Sequence, residues 1–213
     1  MVKVLPTAYL APISYYAALF HEPEVVIEAH EHYVKQTLRN RTVIGTGQGP
    51  QTLSINVQKG SKLKMPIIEI LLSDHGNWMH QHLYSLATYY GNSPFYEYYI
   101  DELKEVMLHG HDGSLFGLNE ALRRKICELI GFEPNVRYSE EWMGVSRLGE
   151  ELVAPEILTP TYYQVAGFGV EKQPFMHNLS ILDLLFNMGN ESVLILKQAD
   201  VVNCMRPTNV VNC

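Results

Sequence analysis

Cysteine and charge are both scarce in this sequence. The 213 residues include three cysteines, Cys127, Cys204 and Cys213, and charged side chains make up only 18% of the chain. The cysteines show none of the paired spacings that hold structural zinc. An odd and sparse set of thiols is typical of a reducing compartment. We therefore expect a cytoplasmic protein.

Long apolar runs and an excess of basic residues are also missing. No window approaches about eighteen consecutive apolar residues, so the sequence predicts no membrane insertion. The net charge is −7, whereas general nucleic-acid binding needs a basic face that releases counterions. Hydrophobic residues reach 46%, which is enough to form a core. These features predict a single folded domain over residues 1–213 that binds no nucleic acid.

The chain lacks the sequence signatures of several common catalytic sites. It contains no G-x-S-x-G, no P-loop and no H-E-x-x-H. The glycine-rich stretch "GTGQG" at 45–49 is followed by no predicted helix. It therefore favours a hairpin turn over a phosphate-binding loop.

Hydrophobic periodicity predicts strands in the first third of the chain. Strands at Val2–Leu5 and 24–29 flank a helix that begins after Pro12, which makes a βαβ unit with a parallel strand pair. Strands at Thr42–Ile44 and Leu53–Val57 form a hairpin, and 66–73 reads as a further strand. We expect an α/β fold in which this mixed sheet, a βαβ unit plus a hairpin, is covered by helices from the C-terminal two thirds.

Helical patterns dominate after Asp74. Predicted helices cover 77–90, 93–108, 118–130 and 178–189, a last short one begins at Glu191, and a late strand lies near 135–139. Ser93 and Asn178 are the expected N-caps, Gly91 and Gly189 are the expected C-caps, and the 118–130 helix should stop at Gly131. The predicted core residues are Ile68, Ile70, Leu122, Ile126, Leu129, Ile181, Leu184 and Leu185.

The segment "HEHYVKQTLRNR" at 30–41 concentrates positive charge in an acidic protein. It contains Lys35, Gln36, Arg39, Asn40 and Arg41. In an extended chain the three cations share one face and the two amides the other, whereas in a helical turn residues four apart are neighbours. Either geometry predicts binding of a small anionic metabolite that carries phosphate or carboxylate. The alternative is a solvated loop whose charges only maintain solubility.

The segment "SDHGNWMHQH" at 73–82 follows a predicted strand and opens a helix. A helix N-terminus attracts anions, so Asp74, His75, Trp78 and His80 are further site candidates. The alternative is that Asp74 or Ser73 simply caps the helix. We expect the two segments to line one crevice.

Histidines are the expected acid–base groups because they titrate near neutral pH. The candidates are His30, His32, His75 and His80. His30 and His32 would share a face in a strand, but in a helix His80 and His82 point about 200° apart. We therefore predict no metal site, and the sequence identifies no cofactor.

Five segments occur in an order that is similar to a known family. They are "AYLAPISYYAALF", "KQTLRNRTVI", "SDHGNWMHQH", "SPFYEYY" and "NLSILDLLFNMG". Together they resemble the WbqC-like family, a bacterial group whose founding member lies among O-antigen biosynthesis genes. The strings "RNR" and "LSILDLLFN-x-G" are the most specific. The family's opening motif matches at Tyr9 and Leu10, which adds Tyr9 to the candidate ligand-binding residues.

The resemblance implies a role in lipopolysaccharide or related polysaccharide biosynthesis. We expect a transferase-like enzyme that binds a nucleotide-sugar or acyl donor, with the cations of the 30–41 segment on its anionic group. Two alternatives are a non-catalytic ligand-binding or assembly protein and a metal-dependent hydrolase.

Overall fold

The computed structural model describes residues 2–58, 65–144, 159–165 and 174–199. The strands are β1 (Lys3–Pro6), β2 (Val25–Glu28), β3 (Arg41–Thr46), β4 (Gly49–Ser54) and β5 (Val136–Tyr138). The α-helices are α1 (Ile13–His21), α2 (Trp78–Tyr90), α3 (Tyr96–His109), α4 (Leu115–Ile130), α5 (Ile181–Met188) and α6 (Ser192–Gln198). Short 3-10 helices cover Ile67–Glu69, His75–Asn77 and Gly189–Glu191. The predicted α/β fold is confirmed.

A parallel sheet with the order β1-β2-β5 forms the first layer. Lys3 lies opposite Val25, and Val25 lies opposite Val136 on its other side. Helix α1 joins β1 to β2, so the predicted βαβ unit is present. The third strand returns from the helical part of the chain, after α4. All three strands therefore end at the same edge of the sheet.

Strands β3 and β4 form the predicted antiparallel hairpin as a separate two-stranded ladder. Its turn is tighter than expected, because only Gly47 and Gln48 separate the strands. Gly45 and Pro50 pair within the ladder instead of belonging to the turn. Gly49 has a φ of 112°, a conformation that glycine adopts without steric cost.

The prediction of a strand at 66–73 is wrong. Residues Ile67–Glu69 form a 3-10 turn, and beyond it Leu71 and Leu72 make only isolated bridges. Ile68, predicted to be core, is 45% exposed. An apolar run satisfies its backbone as a strand only where a neighbouring strand supplies a ladder, and here none is aligned with it.

The remaining core predictions agree with the structure. Ile70 and Leu122 are buried, as are Ile126 of α4 and the apolar face of α5, while Leu129 is only partly buried. Helix α1 packs against α5 and α6, and α3 packs against α4 and α5. Among the described residues, each helix is too short or too polar to cross a bilayer.

Two predicted helix caps lie elsewhere. Helix α3 begins at Tyr96, so Ser93 is not its N-cap. Helix α5 is capped by Ser180, whose hydroxyl accepts a hydrogen bond from the Leu182 amide at 3.4 Å. Asn178 instead accepts from the Ser14 amide in the first turn of α1 at 3.0 Å. This cap joins two segments that are far apart in the sequence. Helix α4 stops at Gly131, as predicted, and Gly131 has the left-handed conformation.

A buried carboxylate connects the hairpin with the helices. The Tyr90 hydroxyl at the end of α2 accepts from the Gly45 amide and donates to Asp183 Oδ1, both at 2.9 Å. Tyr162 and Gln164 donate to Asp183 Oδ2. Burial raises the pKa of Asp183, and these donors oppose the rise. The network holds β3, α2, α5 and the 159–165 segment together.

Replacing Tyr90 by Phe tests this network. The change leaves the buried Gly45 amide without an acceptor and removes one donor from Asp183. We expect a loss of about 1–3 kcal/mol in the free energy of unfolding, measured by denaturant titration. Tyr84→Phe is the matched control, because Tyr84 lies on the same helix and is 68% exposed. Equal stability of the two variants would contradict the proposed role of the Tyr90 hydroxyl.

Candidate functional site

Three chain segments meet at the carbonyl oxygen of Leu10. It accepts hydrogen bonds from the Thr42 hydroxyl at 2.7 Å and from the Ser180 hydroxyl at 2.9 Å. The Ser180 amide also donates to the carbonyl of Val43 at 2.7 Å, and the Ile181 amide donates to that of Ala11 at 2.9 Å. The start of α5 is thereby fixed between β3 and the segment that leads into α1.

A cleft of about 710 Å³ opens beside this junction. Side chains from the 34–43 stretch line one part and residues 176–180 line another, and Pro12, Pro50 and Thr52 also contribute to the lining. Its surface is mainly apolar. The charged side chains among the described residues that line it are Arg39 and Arg41. The cleft therefore combines apolar walls with cationic groups.

Arg39 is buried and its charge is balanced. Its Nε donates to Glu31 Oε1 at 2.7 Å, its Nη2 donates to Glu31 Oε2, and its Nη1 lies 3.4 Å from the Thr37 hydroxyl. Arg39 is 7% exposed and Glu31 is 6% exposed. A bidentate pair in this setting holds the 30–41 segment in one conformation. Most of the hydrogen-bonding capacity of Arg39 is therefore used within the protein.

Asn40 joins the same segment to the hairpin. Its amide donates to the Thr37 carbonyl at 3.1 Å, and its carbonyl accepts from the Ile55 amide at 2.8 Å. The Asn40 side chain donates to the Ile55 carbonyl at 3.1 Å. It does not line the cleft. The hydrogen bonds of Asn40 therefore stabilise the turn between Arg39 and β3.

Arg41 is the cleft-lining cation that has no charge partner among the described residues. Within the described residues it forms no ion pair. Its Nε is shielded from solvent and has no hydrogen-bond partner there. Burial raises the pKa of Tyr33, and the positive charge of Arg41 opposes that rise. The guanidinium of Arg41 is thus an uncompensated charge at the cleft.

The other polar residues of the 30–41 segment are divided between the cleft and the outer surface. Gln36, with a φ of 62°, lines the cleft. Lys35 is exposed and does not line it. In an extended chain, Lys35, Arg39 and Arg41 would share one face. In the structure, Arg39 and Arg41 line the cleft together with Gln36, and Lys35 does not.

The four histidines suggested as acid–base groups lie outside this cleft. His30 is half-buried, and its backbone amide donates to Glu28 at 2.8 Å. His32, His75 and His80 are exposed. No group of three or more His, Cys, Asp or Glu side chains suited to a metal occurs in the described parts of the chain.

The second predicted segment lines a different cleft. Asp74 and Trp78 border a space of about 600 Å³, which shares no described lining residue with the first cleft. The Trp78 indole donates to the Ser73 carbonyl at 2.9 Å, and the Ser73 hydroxyl accepts from the His75 amide at 3.2 Å. Ser73 thus stabilises the turn before α2, whereas the N-cap residues are Asp74 for the 3-10 turn and Asn77 for α2, neither with a side-chain capping hydrogen bond. The structure does not bring the 30–41 and 73–82 segments into one crevice.

Tyr9 lies in the core with His82. It is fully buried, and its hydroxyl is 2.9 Å from His82 Nδ1. Burial lowers the pKa of His82 to about 4, although a hydrogen bond to the Ser54 backbone opposes the change. His80, two residues earlier on α2, is exposed. The predicted divergence of His80 and His82 is therefore observed.

Sequence reasoning missed His177 as a candidate for the site. It lines the cleft, and its Nδ1 lies 3.1 Å from both the amide and the carbonyl of Thr159. Nδ1 can accept from the amide or donate to the carbonyl, so both neutral tautomers have a partner. The available signal is the histidine in "HNLS" directly before an apolar helix, a stretch in which the sequence predicts only the Asn178 cap.

Two further buried carboxylates are satisfied by structural contacts. Glu28, at the end of β2, accepts from the Ser139 hydroxyl at 2.7 Å and from the Met143 amide at 2.8 Å. Burial opposes ionisation of Glu28, but these hydrogen bonds outweigh it and lower its pKa. Glu120 accepts from Arg123 Nε at 2.7 Å. Both carboxylates therefore have structural partners at or near the edge where the parallel strands end.

Residues 7–155 match the model of the WbqC-like protein family. The chain is also 24% identical over 220 residues to the uncharacterized protein Rv1507c of Mycobacterium tuberculosis (strain ATCC 25618 / H37Rv). That alignment covers 90% of this chain and 95% of the mycobacterial protein. No solved structure matches the chain. The family match includes the 34–43 side of the cleft and ends before the 176–180 side.

The depressed pKa of His82 predicts acid sensitivity. In the unfolded chain His82 has its ordinary pKa of about 6.5, so it takes up a proton as the pH falls below that value. In the folded protein it takes up this proton only at about pH 4. The stability that depends on neutral His82 is therefore fully present above pH 6.5 and is lost as the pH falls towards 4. We expect His82→Gln to reduce this loss by about 3 kcal/mol in denaturant titrations across that range. His80→Gln is the exposed control, and an unchanged pH profile in His82→Gln would contradict the prediction.

The buried Arg39 pair predicts a stability effect without a change of charge. Arg39→Lys keeps the cation but cannot form both hydrogen bonds to Glu31. We expect a loss of about 1.5–3 kcal/mol in the free energy of unfolding. Arg137→Lys is the matched control, because its pair with Glu24 is solvent-exposed and should change stability by less than about 1 kcal/mol. Similar losses in the two variants would contradict the structural role of Arg39.

Proposed function

The chain belongs to the WbqC-like protein family, and we propose that it binds a small anionic metabolite in the cleft between residues 34–43 and 176–180. The observation that carries this proposal is Arg41, a cation at the cleft that has no ion pair among the described residues. A charge without a partner in a partly shielded position is costly unless a ligand or solvent compensates it. An anionic ligand would supply that compensation.

The ligand class follows from the guanidinium and from the family. A planar fork of donors suits phosphate or carboxylate. The family's association with O-antigen biosynthesis supports an activated metabolite, such as a nucleotide-sugar or an acyl donor. In this proposal the protein is a cytoplasmic transferase-like enzyme of surface-glycan or related biosynthesis.

His177 is the acid–base candidate within the cleft. Its Nδ1 has a backbone partner in either neutral tautomer, which leaves the other ring nitrogen for contact with a substrate, and histidine is the side chain most often used in general acid–base catalysis. Gln36 would add a neutral hydrogen-bonding group on the opposite side. His30, His32, His75 and His80 would act only on a part of the substrate that extends beyond the cleft.

A non-catalytic ligand-binding or assembly protein is the second candidate. The observation that favours it is the position of those four histidines outside the cleft. A turnover assay with a bound donor and His177→Gln distinguishes the two candidates. Turnover that this variant abolishes supports the enzyme. Binding without turnover in the native protein supports the second candidate.

The proposal predicts that Arg41 controls ligand affinity. In a thermal-shift screen of nucleotides, sugar phosphates, acyl-CoA and simple anions, Arg41→Gln should weaken the stabilising anion roughly ten- to a hundredfold. This is the range expected for loss of a hydrogen bond to a charged group. Lys35→Gln removes the same charge from the same segment outside the cleft, and affinity should remain unchanged. A ligand that stabilises native protein and Arg41→Gln equally would remove Arg41 from the site.

A further inference from the structure

We infer that the cleft selects a ligand with one negative charge and an apolar body, as in an aliphatic carboxylate, over a nucleoside diphosphate. The inference rests on the proposed function, because both place the anionic group of the ligand on Arg41. It goes further by choosing between the two anion classes that the guanidinium alone would accept.

The charge balance of the cleft supports a single negative charge. Its charged side chains among the described residues are Arg39 and Arg41, and Glu31 neutralises the first. One positive charge is left for the ligand. A second negative charge would lose water without gaining a partner, and it would also lie near the Glu31 carboxylate.

The hydrogen-bonding geometry of the guanidinium accommodates a carboxylate, and the charge balance decides in its favour over a diphosphate. A carboxylate has two oxygens in one plane and matches two parallel N–H groups of a guanidinium. Two parallel hydrogen bonds from Arg41 would use both carboxylate oxygens and compensate its charge.

The walls of the cleft support an apolar body. Most of the exposed lining of the cleft is apolar, and its aliphatic side chains and prolines include Pro12, Val34, Leu38, Val43, Pro50 and Leu179. Burial of hydrocarbon against such a surface increases affinity by up to roughly fourfold for each methylene. A ribose and a sugar ring would instead place hydroxyl groups against these aliphatic side chains, which form no hydrogen bonds with them.

Four probes separate charge from shape: hexanol, hexanoate, hexyl phosphate and UDP-glucose. Titration calorimetry at pH 8 compares them on the native protein, because free histidines are ordinarily neutral there and phosphate monoesters are close to doubly charged. We expect hexanoate to bind about tenfold or more tightly than each of the other three. Arg41→Gln should bring hexanoate to the affinity of hexanol.

Glu31→Gln tests the charge balance directly. The change leaves Arg39 without its counter-charge and gives the cleft a second positive charge. The preference should then move from hexanoate towards hexyl phosphate by roughly tenfold. If this variant does not fold, the ranking on the native protein and on Arg41→Gln still decides the inference.

The outcomes separate this inference from the proposed function. Tighter binding of hexyl phosphate or UDP-glucose that is lost in Arg41→Gln overturns the single-charge inference and supports the anion site. Equal affinities for hexanoate and hexanol on the native protein also overturn the inference. Anion binding that Arg41→Gln leaves unchanged overturns both. Preferential binding of hexanoate that depends on Arg41 supports both.

Discussion

The arrangement of this protein depends on the double hydrogen bond at the Leu10 carbonyl. Leu10 has a φ of 42°, a conformation that costs energy for a non-glycine residue. The cost is offset because its carbonyl accepts from Thr42 and Ser180, which belong to segments far apart in the sequence. Buried carbonyl groups need such partners. The same contacts place β3 beside the start of α5 and so create the two sides of the cleft.

The three residues Arg39, Asn40 and Arg41 have different tasks although they are adjacent. The guanidinium of Arg39 donates to Glu31, and the side chain of Asn40 donates to the Ile55 carbonyl beside the hairpin. Arg41 has no ion pair among the described residues and reaches the cleft. The division has a physical basis, because a buried ion pair is tolerated when it is well hydrogen-bonded, whereas an unpaired charge remains available to a ligand. The pair at Arg39 therefore both orders the segment and limits the charge of the site.

Local sequence patterns predicted two kinds of element: those that pack against elements close in sequence, and those whose apolar periodicity extends over many residues. The βαβ unit and helix α4 with its Gly131 terminus are examples, since their signals are periodicity and turn chemistry. The prediction of a strand at 66–73 is wrong because an apolar run does not specify which strand would pair with it. The cap at Asn178 failed for a related reason: its amide oxygen caps α1, across the fold, instead of α5. Pairing between distant segments leaves no local period in the sequence.

The sequence by itself determined the α/β class, the family and the presence of an unusual cationic segment, because composition, hydrophobic period and motif order are all local properties. Only the tertiary structure decided which cation is available. Glu31 and Arg39 are eight residues apart, and nothing in their spacing distinguishes an ion pair from two solvated charges. His177 and Arg41 line the same cleft only because of the fold, and the 73–82 segment lines another cleft. Burial and charge compensation depend on the packing of distant segments, and for this reason the chemistry of the site depends on the fold.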